Sequence, residues 1–356
     1  MTALVKNIIG GKRKPASGQA RPPGEAVKML AVDEDSAGQR LDNFLFKHLK
    51  GVPKTHVYRI IRSGEVRVNK GRAQAETRIE EGDLVRVPPV RTSASSATAE
   101  AAKPAPARVF TVLHEDDALI AIDKPAGVAV HGGSGVSFGV IEQLRSARPS
   151  ARFLELVHRL DRETSGILLV AKKRSALTNL QDQFRERETG KTYLALVLGD
   201  WPENKKVIDS PLARFLLPVA DGAGGEGERR VRVVAKDHPD AMRAVTLVKV
   251  LDKFTLPGEV ETMSLLAVTI KTGRTHQIRV HLASSGHPIA GDEKYGVYAR
   301  NRELHKQGLK RMFLHAWRLQ FNHPADGRRM ALRSDPPADL AAVLPTSAID
   351  RLSQHP

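Results

Sequence analysis

The residues best suited to chemistry lie around Asp161, in the segment His158-Arg159-Leu160-Asp161-Arg162. A carboxylate beside cationic side chains is favoured in its ionised form, and an ionised carboxylate can act as a nucleophile or a general base. The apolar run Ile167 to Val170 follows and predicts a buried strand that positions this segment. From the residues alone, Asp161 could equally be a surface ion-pair partner or a turn-capping residue.

Three segments of the chain, taken together, resemble one enzyme family. Each is similar to a signature of the RluA family of pseudouridine synthases, and they occur in the family's order. They are Asp123-Lys124-Pro125-Ala126-Gly127 with Val130-His131-Gly132-Gly133, His158-Arg159-Leu160-Asp161 with Thr164-Ser165-Gly166, and Thr272-Gly273-Arg274-Thr275-His276-Gln277-Ile278-Arg279-Val280-His281 with Gly286-His287-Pro288-Ile289. The resemblance implies that the chain converts uridines of RNA into pseudouridine.

That reaction breaks the C1′–N1 bond of a uridine, turns the uracil while it stays bound, and closes a C1′–C5 bond. Because the atoms are conserved, no redox partner or energy source is needed, and we expect no cofactor. A uridine inside folded RNA must first be extruded, at a cost of a few kcal/mol that positive charge and stacking would offset.

The resemblance also implies roles for four residues. Asp161 would be the catalytic carboxylate, and Arg279 would form an ion pair with it. Tyr193, in Lys191-Thr192-Tyr193, is similar to the residue that packs against the flipped uracil, and Arg159 to the residue that fills the vacated stack. An aromatic ring offers every base a stacking face, although Tyr193 could also be a core tyrosine. Whether Asp161 forms an adduct or removes the C2′ proton stays open, and Tyr193 is a candidate for proton transfer at C5.

Other catalytic chemistries lack their motifs. No Gly-x-Ser-x-Gly elbow accompanies the Gly-rich segment after His131, and Arg185 stands where a phosphate loop ending in Gly190-Lys191-Thr192 needs its first glycine. His276 and His281 lie on a predicted strand and would face opposite sides, so we expect no metal site.

The N-terminal part of the chain predicts a basic RNA-binding module. Leu41, Phe44 and Leu45 share one helical face, and a second short helix buries Val57, Ile60 and Ile61. Four basic residues fall off these faces or follow in a strand, namely Lys54, Arg59, Arg62 and Arg67. Gln39 to Asp83 resembles the S4 RNA-binding domain, which implies recognition of structured RNA. A solvated helix face without a partner is the alternative.

These patterns predict an α+β protein with two domains. A small S4-type α/β domain would precede a catalytic domain built on a mixed, largely antiparallel sheet flanked by helices and loops. The predicted segments are a basic flexible tail (1–30), the S4 domain (38–90), a linker (91–107), the catalytic domain (108–340) and a C-terminal tail (341–356). Asp221 to Gly227 predicts an exposed Gly-rich insertion.

The net charge and the absence of cysteine indicate which partners and which cellular compartment suit the chain. The chain has 56 Lys and Arg against 40 Asp and Glu, a net charge of +16 that favours a polyanion, either nucleic acid or an anionic membrane face. Its lack of cysteine excludes disulfides, thiol nucleophiles and Cys-ligated zinc, and fits a reducing compartment. No apolar run approaches the roughly 18 residues of a membrane span. We therefore expect a soluble, cytoplasmic protein without a membrane partner.

Three further segments resemble one branch of the RluA family, namely Leu49-Lys50-Gly51-Val52-Pro53-Lys54, His131-Gly132-Gly133-Ser134-Gly135 and Phe153-Leu154-Glu155-Leu156-Val157. Over about Gln39 to Arg333 the chain is most similar to this branch, the RluC type. That similarity implies a bacterial enzyme whose partner is 23S ribosomal RNA or its large-subunit precursor. We expect a monomer without an obligatory protein partner. The alternatives are an RluA-family synthase acting on other ribosomal or transfer RNA uridines, and a non-catalytic RNA-binding assembly factor. The presence of Asp161, Tyr193 and Arg279 argues against the second alternative.

Overall fold

The structure, a computed structural model, describes residues 27–34, 36–49, 51–90, 105–133, 138–217, 228–256 and 261–354. The chain divides into two compact units, Met1–Ala102 and Lys103–Pro356. Residues 1–26 of the predicted tail, most of the predicted linker and the whole Gly-rich segment Asp221 to Gly227 lie outside the described residues. No helix in the described ranges has the length and hydropathy to cross a bilayer.

The N-terminal unit packs two helices against a small antiparallel sheet. Its elements are β1 (Lys28–Ala31), α1 (Leu41–His48), α2 (Lys54–Arg62), β2 (Arg67–Val68), β3 (Gly71–Arg72) and β4 (Leu84–Val87). The strand order is β1-β4-β2-β3. Leu41, Phe44 and Leu45 are buried on α1, as are Val57, Ile60 and Ile61 on α2, which confirms both predicted helical faces. Because β1 pairs with β4, the sheet begins before the predicted domain start at residue 38.

The C-terminal unit is built on a ten-stranded mixed sheet with helices around it. The elements of its first half are β5 (Thr111–Glu115), β6 (Leu119–Lys124), α3 (Val140–Ala147), β7 (Glu155–Leu156), β8 (Ser165–Ala171), α4 (Arg174–Glu186), β9 (Gly190–Leu198), β10 (Val207–Asp209) and β11 (Leu212–Leu217). Those of its second half are β12 (Glu228–Val233), β13 (Val245–Thr255), β14 (Thr262–Ile270), α5 (Gln277–Ser284), α6 (Tyr298–Lys306), β15 (Leu314–Asn322), β16 (Arg329–Arg333), α7 (Ala338–Ala341) and α8 (Thr346–Gln354).

The main sheet runs β10-β13-β14-β9-β15-β8-β6-β5, with β16 beside β15 and β7 beside β8. Only β8 and β15 pair in parallel among the described strands, and β11 and β12 form a separate hairpin. The predicted α+β class and largely antiparallel sheet are confirmed. Every residue of β8 is buried, as expected for a strand with both faces covered.

Three residues lie side by side across the middle of this sheet. Ala316 of β15 is opposite Gly166 of β8 on one side and Tyr193 of β9 on the other. Gly166 has a φ of 107°, and a Cβ there would lie 2.3 Å from the Ala316 carbonyl oxygen. Only glycine permits this approach. The sheet thus fixes the distance between the segment that precedes β8, which carries Asp161, and Tyr193.

Two predictions about secondary structure are wrong. His276 precedes and His281 lies within the helix α5, where a strand was predicted. Ile278, Val280 and Leu282 alternate with polar residues, a pattern typical of a strand with one exposed face. In the structure all six residues from Gln277 to Leu282 are buried, so the polar residues do not form an exposed face.

The predicted C-terminal tail, residues 341–356, is also not a tail in its described part. It contains α8, whose Ala348 and Leu352 are buried one helical turn apart. With Leu340, Val343 and Leu344, these side chains join the hydrophobic core that also contains Leu251 of β13. The segment is therefore part of the C-terminal unit.

Candidate active site

Asp161 lies where two cavities of the C-terminal unit meet. The larger cavity has a volume of about 590 Å³ and is lined by seven Lys or Arg side chains and five carboxylates. The smaller has a volume of about 130 Å³, and its lining includes the apolar side chains of Ile270 and Leu314. Arg159, Asp161 and Arg279 line both. The cationic cavity suits a phosphate backbone and the smaller one suits a single extruded base.

The segment that carries Asp161 is tied to the loop after β6. Lys124 is fully buried, and its Nζ donates to the carbonyl oxygens of Pro125 at 2.9 Å, Val128 at 2.8 Å and Arg162 at 3.1 Å. The Gly127 amide donates to the same Arg162 carbonyl at 2.9 Å. Burial lowers the pKa of Lys124 to about 7, while three carbonyl acceptors match the three N–H donors of an ammonium. Lys124 thereby fixes the backbone one residue beyond Asp161.

The carboxylate of Asp161 is approached by two nitrogen atoms. Arg279 Nη1 lies 3.7 Å from Oδ2, and His276 Nε2 lies 3.9 Å from the same oxygen. Both distances exceed that of a hydrogen bond. The side chain of Asp161 is one-quarter exposed. It therefore keeps its acceptor capacity while it faces a fixed cation.

Arg279 is held by a second carboxylate, that of Asp292. Its Nε donates to Asp292 Oδ2 at 2.8 Å and its Nη2 to Oδ1 at 2.7 Å, so the pair is bidentate. Burial by itself would lower the pKa of Arg279, but the hydrogen bonds and charge of Asp292 outweigh it and leave the pKa raised. Asp292 Oδ1 also accepts the backbone N–H groups of Lys294 and Tyr295. Arg279 is therefore an oriented cation whose remaining nitrogen, Nη1, points to Asp161.

Tyr193 and Arg159 complete the wall of the smaller cavity. Tyr193 is partly buried on β9, and burial together with the charge of Asp161 raises the pKa of its phenol. The phenol is therefore protonated at neutral pH, which favours a ring contact over a role as a phenolate base. Arg159 is exposed where the two cavities join.

His158, the first residue of the signature, has a structural position. Its Nε2 accepts the Leu169 amide at 3.1 Å, and its ring stacks on Phe184 at 4.7 Å between centroids. Burial lowers its pKa well below the ordinary value. A neutral imidazole that accepts from β8 anchors the segment just before Asp161.

The structure brings together all four residues predicted for catalysis and substrate binding, since Arg159, Asp161, Tyr193 and Arg279 line one cavity. The RNA-binding candidates Lys54, Arg59, Arg62 and Arg67 belong to the N-terminal unit. The sequence analysis named Lys124 only as part of a motif, did not name Asp292, and assigned His276 no role at this site. A signal for Asp292 existed, because Gly291-Asp292-Glu293-Lys294-Tyr295-Gly296 places a charged segment between two glycines. Within the described residues, no group of three or more His, Asp or Glu could hold a metal ion.

Comparison with known proteins agrees with this geometry. The RNA pseudouridylate synthase family matches residues 118–284, and the S4 domain matches residues 39–85. The chain is 49% identical to the ribosomal large subunit pseudouridine synthase C of Pasteurella multocida over 322 residues, covering 90% of this chain and 94% of that protein. It is 48% identical to the protein of the same name from Escherichia coli K12, covering 87% and 93%.

Solved structures with the same fold include two human proteins. Human RNA Pseudouridylate Synthase Domain Containing 1 has a TM-score of 0.52 at 26% identity and covers 69% of this chain and 94% of its own. Human RNA Pseudouridylate Synthase Domain Containing 4 has a TM-score of 0.50 at 26% identity and covers 68% and 93%. Together with the sequence relatives, they show that the chain belongs to the RNA pseudouridylate synthase family and is an RNA-modifying isomerase with an S4 domain before its catalytic domain.

Proposed function

We propose that this enzyme isomerises specific uridines of 23S ribosomal RNA, or of its large-subunit precursor, with Asp161 as the catalytic carboxylate. The main support is the position of Asp161. It lies where the smaller cavity meets the larger, cationic cavity, and Nη1 of Arg279 lies beside its carboxylate. The relatives that cover most of the chain are named for the large ribosomal subunit, which supports this choice of RNA. A bacterial cytoplasm, where ribosomes are made, is the corresponding location.

The cavity suggests a role for each wall residue. The extruded uracil enters the smaller cavity and packs on Tyr193, with its C1′ near the Asp161 carboxylate. Arg279 stabilises the carboxylate before and after the C1′–N1 bond breaks. Arg159, at the mouth, occupies the place that the extruded base leaves. As the C1′–N1 bond is replaced by a C1′–C5 bond, C5 loses its proton to water and N1 gains one, so the reaction balances without an added reactant.

The N-terminal unit supplies a surface for the RNA backbone. Arg67 of β2 lies opposite Arg72 of β3 on one side and Arg86 of β4 on the other. Like charges directly opposite each other on a sheet are unfavourable unless a polyanion neutralises them. On α2, Arg59 and Arg62 are exposed, and no ion pair neutralises either within the described residues.

The test of the proposed function uses the loss of the C5 hydrogen. Ribosomal RNA is transcribed with tritium at C5 of uridine, incubated with the enzyme, and the tritium released into water is measured. We expect release from 23S transcripts at a few positions, which sequencing of modified nucleotides then identifies. Release from transfer RNA alone, or from no ribosomal transcript at all, would contradict the assignment of substrate.

Deleting residues 1–90 is expected to weaken RNA binding and to flatten its dependence on salt. Each phosphate contact that is lost lowers the slope of log K against log salt by about one. The double variant Arg59→Gln/Arg62→Gln should lower that slope by about two. Arg78→Gln, which removes one positive charge instead of two, is a control in the same unit that should leave the slope nearly unchanged, because the Arg78 guanidinium donates to the Gly38 carbonyl. An unchanged slope in both the deletion and the double variant would exclude this unit from backbone recognition.

A further inference from the structure

His276 has a strained backbone at the junction of the two cavities. Its φ is 52°, in the left-handed region, at the residue that precedes α5. A side chain in this region costs free energy that the surrounding structure must offset, and such residues concentrate at functional sites. His276 lines both cavities with Asp161 and Arg279. Nothing in the proposed reaction accounts for it.

Two hydrogen bonds in series fix the imidazole of His276 on its Nδ1 side. The Val231 amide of the β11–β12 hairpin donates to the Tyr295 hydroxyl oxygen at 3.2 Å. The same hydroxyl lies 2.9 Å from His276 Nδ1, and the two rings meet edge to face. On the other side of the imidazole, Nε2 lies 3.9 Å from Asp161 Oδ2.

This arrangement selects one neutral tautomer. An unprotonated Nε2 would direct its lone pair at a carboxylate, whereas a protonated Nε2 directs an N–H at it. The Tyr295 oxygen already accepts from Val231 and still has one proton to donate, so it can donate to an unprotonated Nδ1. The tautomer with its proton on Nε2 satisfies both sides.

We propose that His276 is a positioning residue for Asp161, held by Tyr295 as the tautomer whose Nε2–H is directed at the catalytic carboxylate. The inference rests on the proposed role of Asp161. Arg279 Nη1 and His276 Nε2 both come closest to Oδ2, so together they orient the carboxylate and leave Oδ1 for the nucleoside.

A neutral donor suits this position better than a second cation. It directs the carboxylate without adding a positive charge that would weaken it as a nucleophile or base. Burial lowers the pKa of His276, which favours the neutral ring. The charges of Asp161 and Asp292 raise this pKa and those of Arg279 and Lys294 lower it.

The first experiment compares variants at position 276. His276→Gln keeps an N–H donor at the position of Nε2, and His276→Leu removes it at similar size. We expect His276→Leu to lower kcat about a hundredfold, while its RNA affinity stays within about threefold of that of the unmodified protein. The kcat of His276→Gln should be at least about tenfold higher than that of His276→Leu. Both variants bear the same backbone strain, so the difference between them reports the donor. Equal kcat values for the two variants, or a kcat unchanged in His276→Leu, would overturn the proposal.

The second experiment reads the tautomer directly and does not depend on activity. In protein labelled with ¹⁵N-histidine, the resonances missing from His276→Gln identify His276, and their ¹⁵N shifts distinguish the tautomers. We expect the Nε2–H form in the unmodified protein and a mixture in Tyr295→Phe, whose kcat falls about tenfold. An Nδ1–H form in the unmodified protein would contradict the inference, whatever the kcat values of the position-276 variants.

A control separates structural effects from positioning. His281 lies on the same helix, is buried, and contacts the Thr246 hydroxyl and the Ser210 carbonyl, away from Asp161. His281→Gln should lower the melting temperature and leave kcat of the folded protein unchanged. The two proposals can fail separately. If Asp161→Asn is active, the proposed function of Asp161 is wrong. If Asp161→Asn is inactive but His276→Leu is fully active, only the positioning role of His276 is wrong.

Discussion

Replacing Asp161 with Asn is expected to abolish pseudouridine formation, with a loss of at least about a thousandfold in kcat. The amide keeps the shape of the side chain but removes the negative charge that lies 3.7 Å from Arg279 Nη1. An amide can neither add to C1′ nor accept the C2′ proton, so both open routes lose their acting group. RNA affinity should stay within about threefold, because the cationic cavity and the N-terminal unit are unchanged.

The measurement is tritium release from C5-labelled RNA, with binding measured separately by filter retention. Glu163→Gln is the matched control, since Glu163 is a half-exposed carboxylate two positions along the same segment, beside Arg162. It should retain activity close to that of the unmodified protein. If Asp161→Asn turned over normally, or if both variants lost activity equally, Asp161 would not be the reacting carboxylate.

Much of the fold was predictable because its patterns are local. The buried faces of α1 and α2 and the apolar strand β8 follow from side-chain spacing, which the packed structure preserves. The helix α5 was not predictable in this way, since a helix buried on all sides shows no amphipathic period. Its polar residues are buried because specific partners satisfy them, and these partners come from distant segments.

The site was predictable to the same extent. Asp161, Tyr193 and Arg279 were predicted as site residues because each lies in a motif that resembles the family, and the structure places them around one cavity. The hydrogen-bond partner of Arg279 was not found, because Asp292 is 13 positions away and meets Arg279 only through the fold. The role of Lys124 in fixing the segment of Asp161 was likewise hidden, since its acceptors are backbone carbonyls that carry no side-chain signature.

Replacing Arg279 with Met is expected to damage both stability and catalysis. Arg279 is 7% exposed and Asp292 is 1% exposed, so the substitution leaves a buried carboxylate without its cation. Breaking such a pair from one side costs about 3–5 kcal/mol of folding free energy. Loss of the oriented nitrogen beside Asp161 should lower kcat about a hundredfold to a thousandfold. Urea unfolding and tritium release measure the two effects on the same preparation.

A second substitution separates these two effects. The double variant Arg279→Met/Asp292→Asn has no buried negative charge at position 292. In the unmodified protein, Asp292 Oδ1 accepts the backbone N–H groups of Lys294 and Tyr295, and the amide oxygen of Asn can still accept such a bond. The double variant should therefore regain about 2 kcal/mol of stability relative to Arg279→Met, a non-additivity typical of residues in contact. Its kcat should stay as low as that of the single variant, because nothing replaces the cation that faces Asp161. Recovery of activity along with stability would mean that Arg279 acts only by holding the fold together, and that the carboxylate of Asp161 works without an oriented guanidinium.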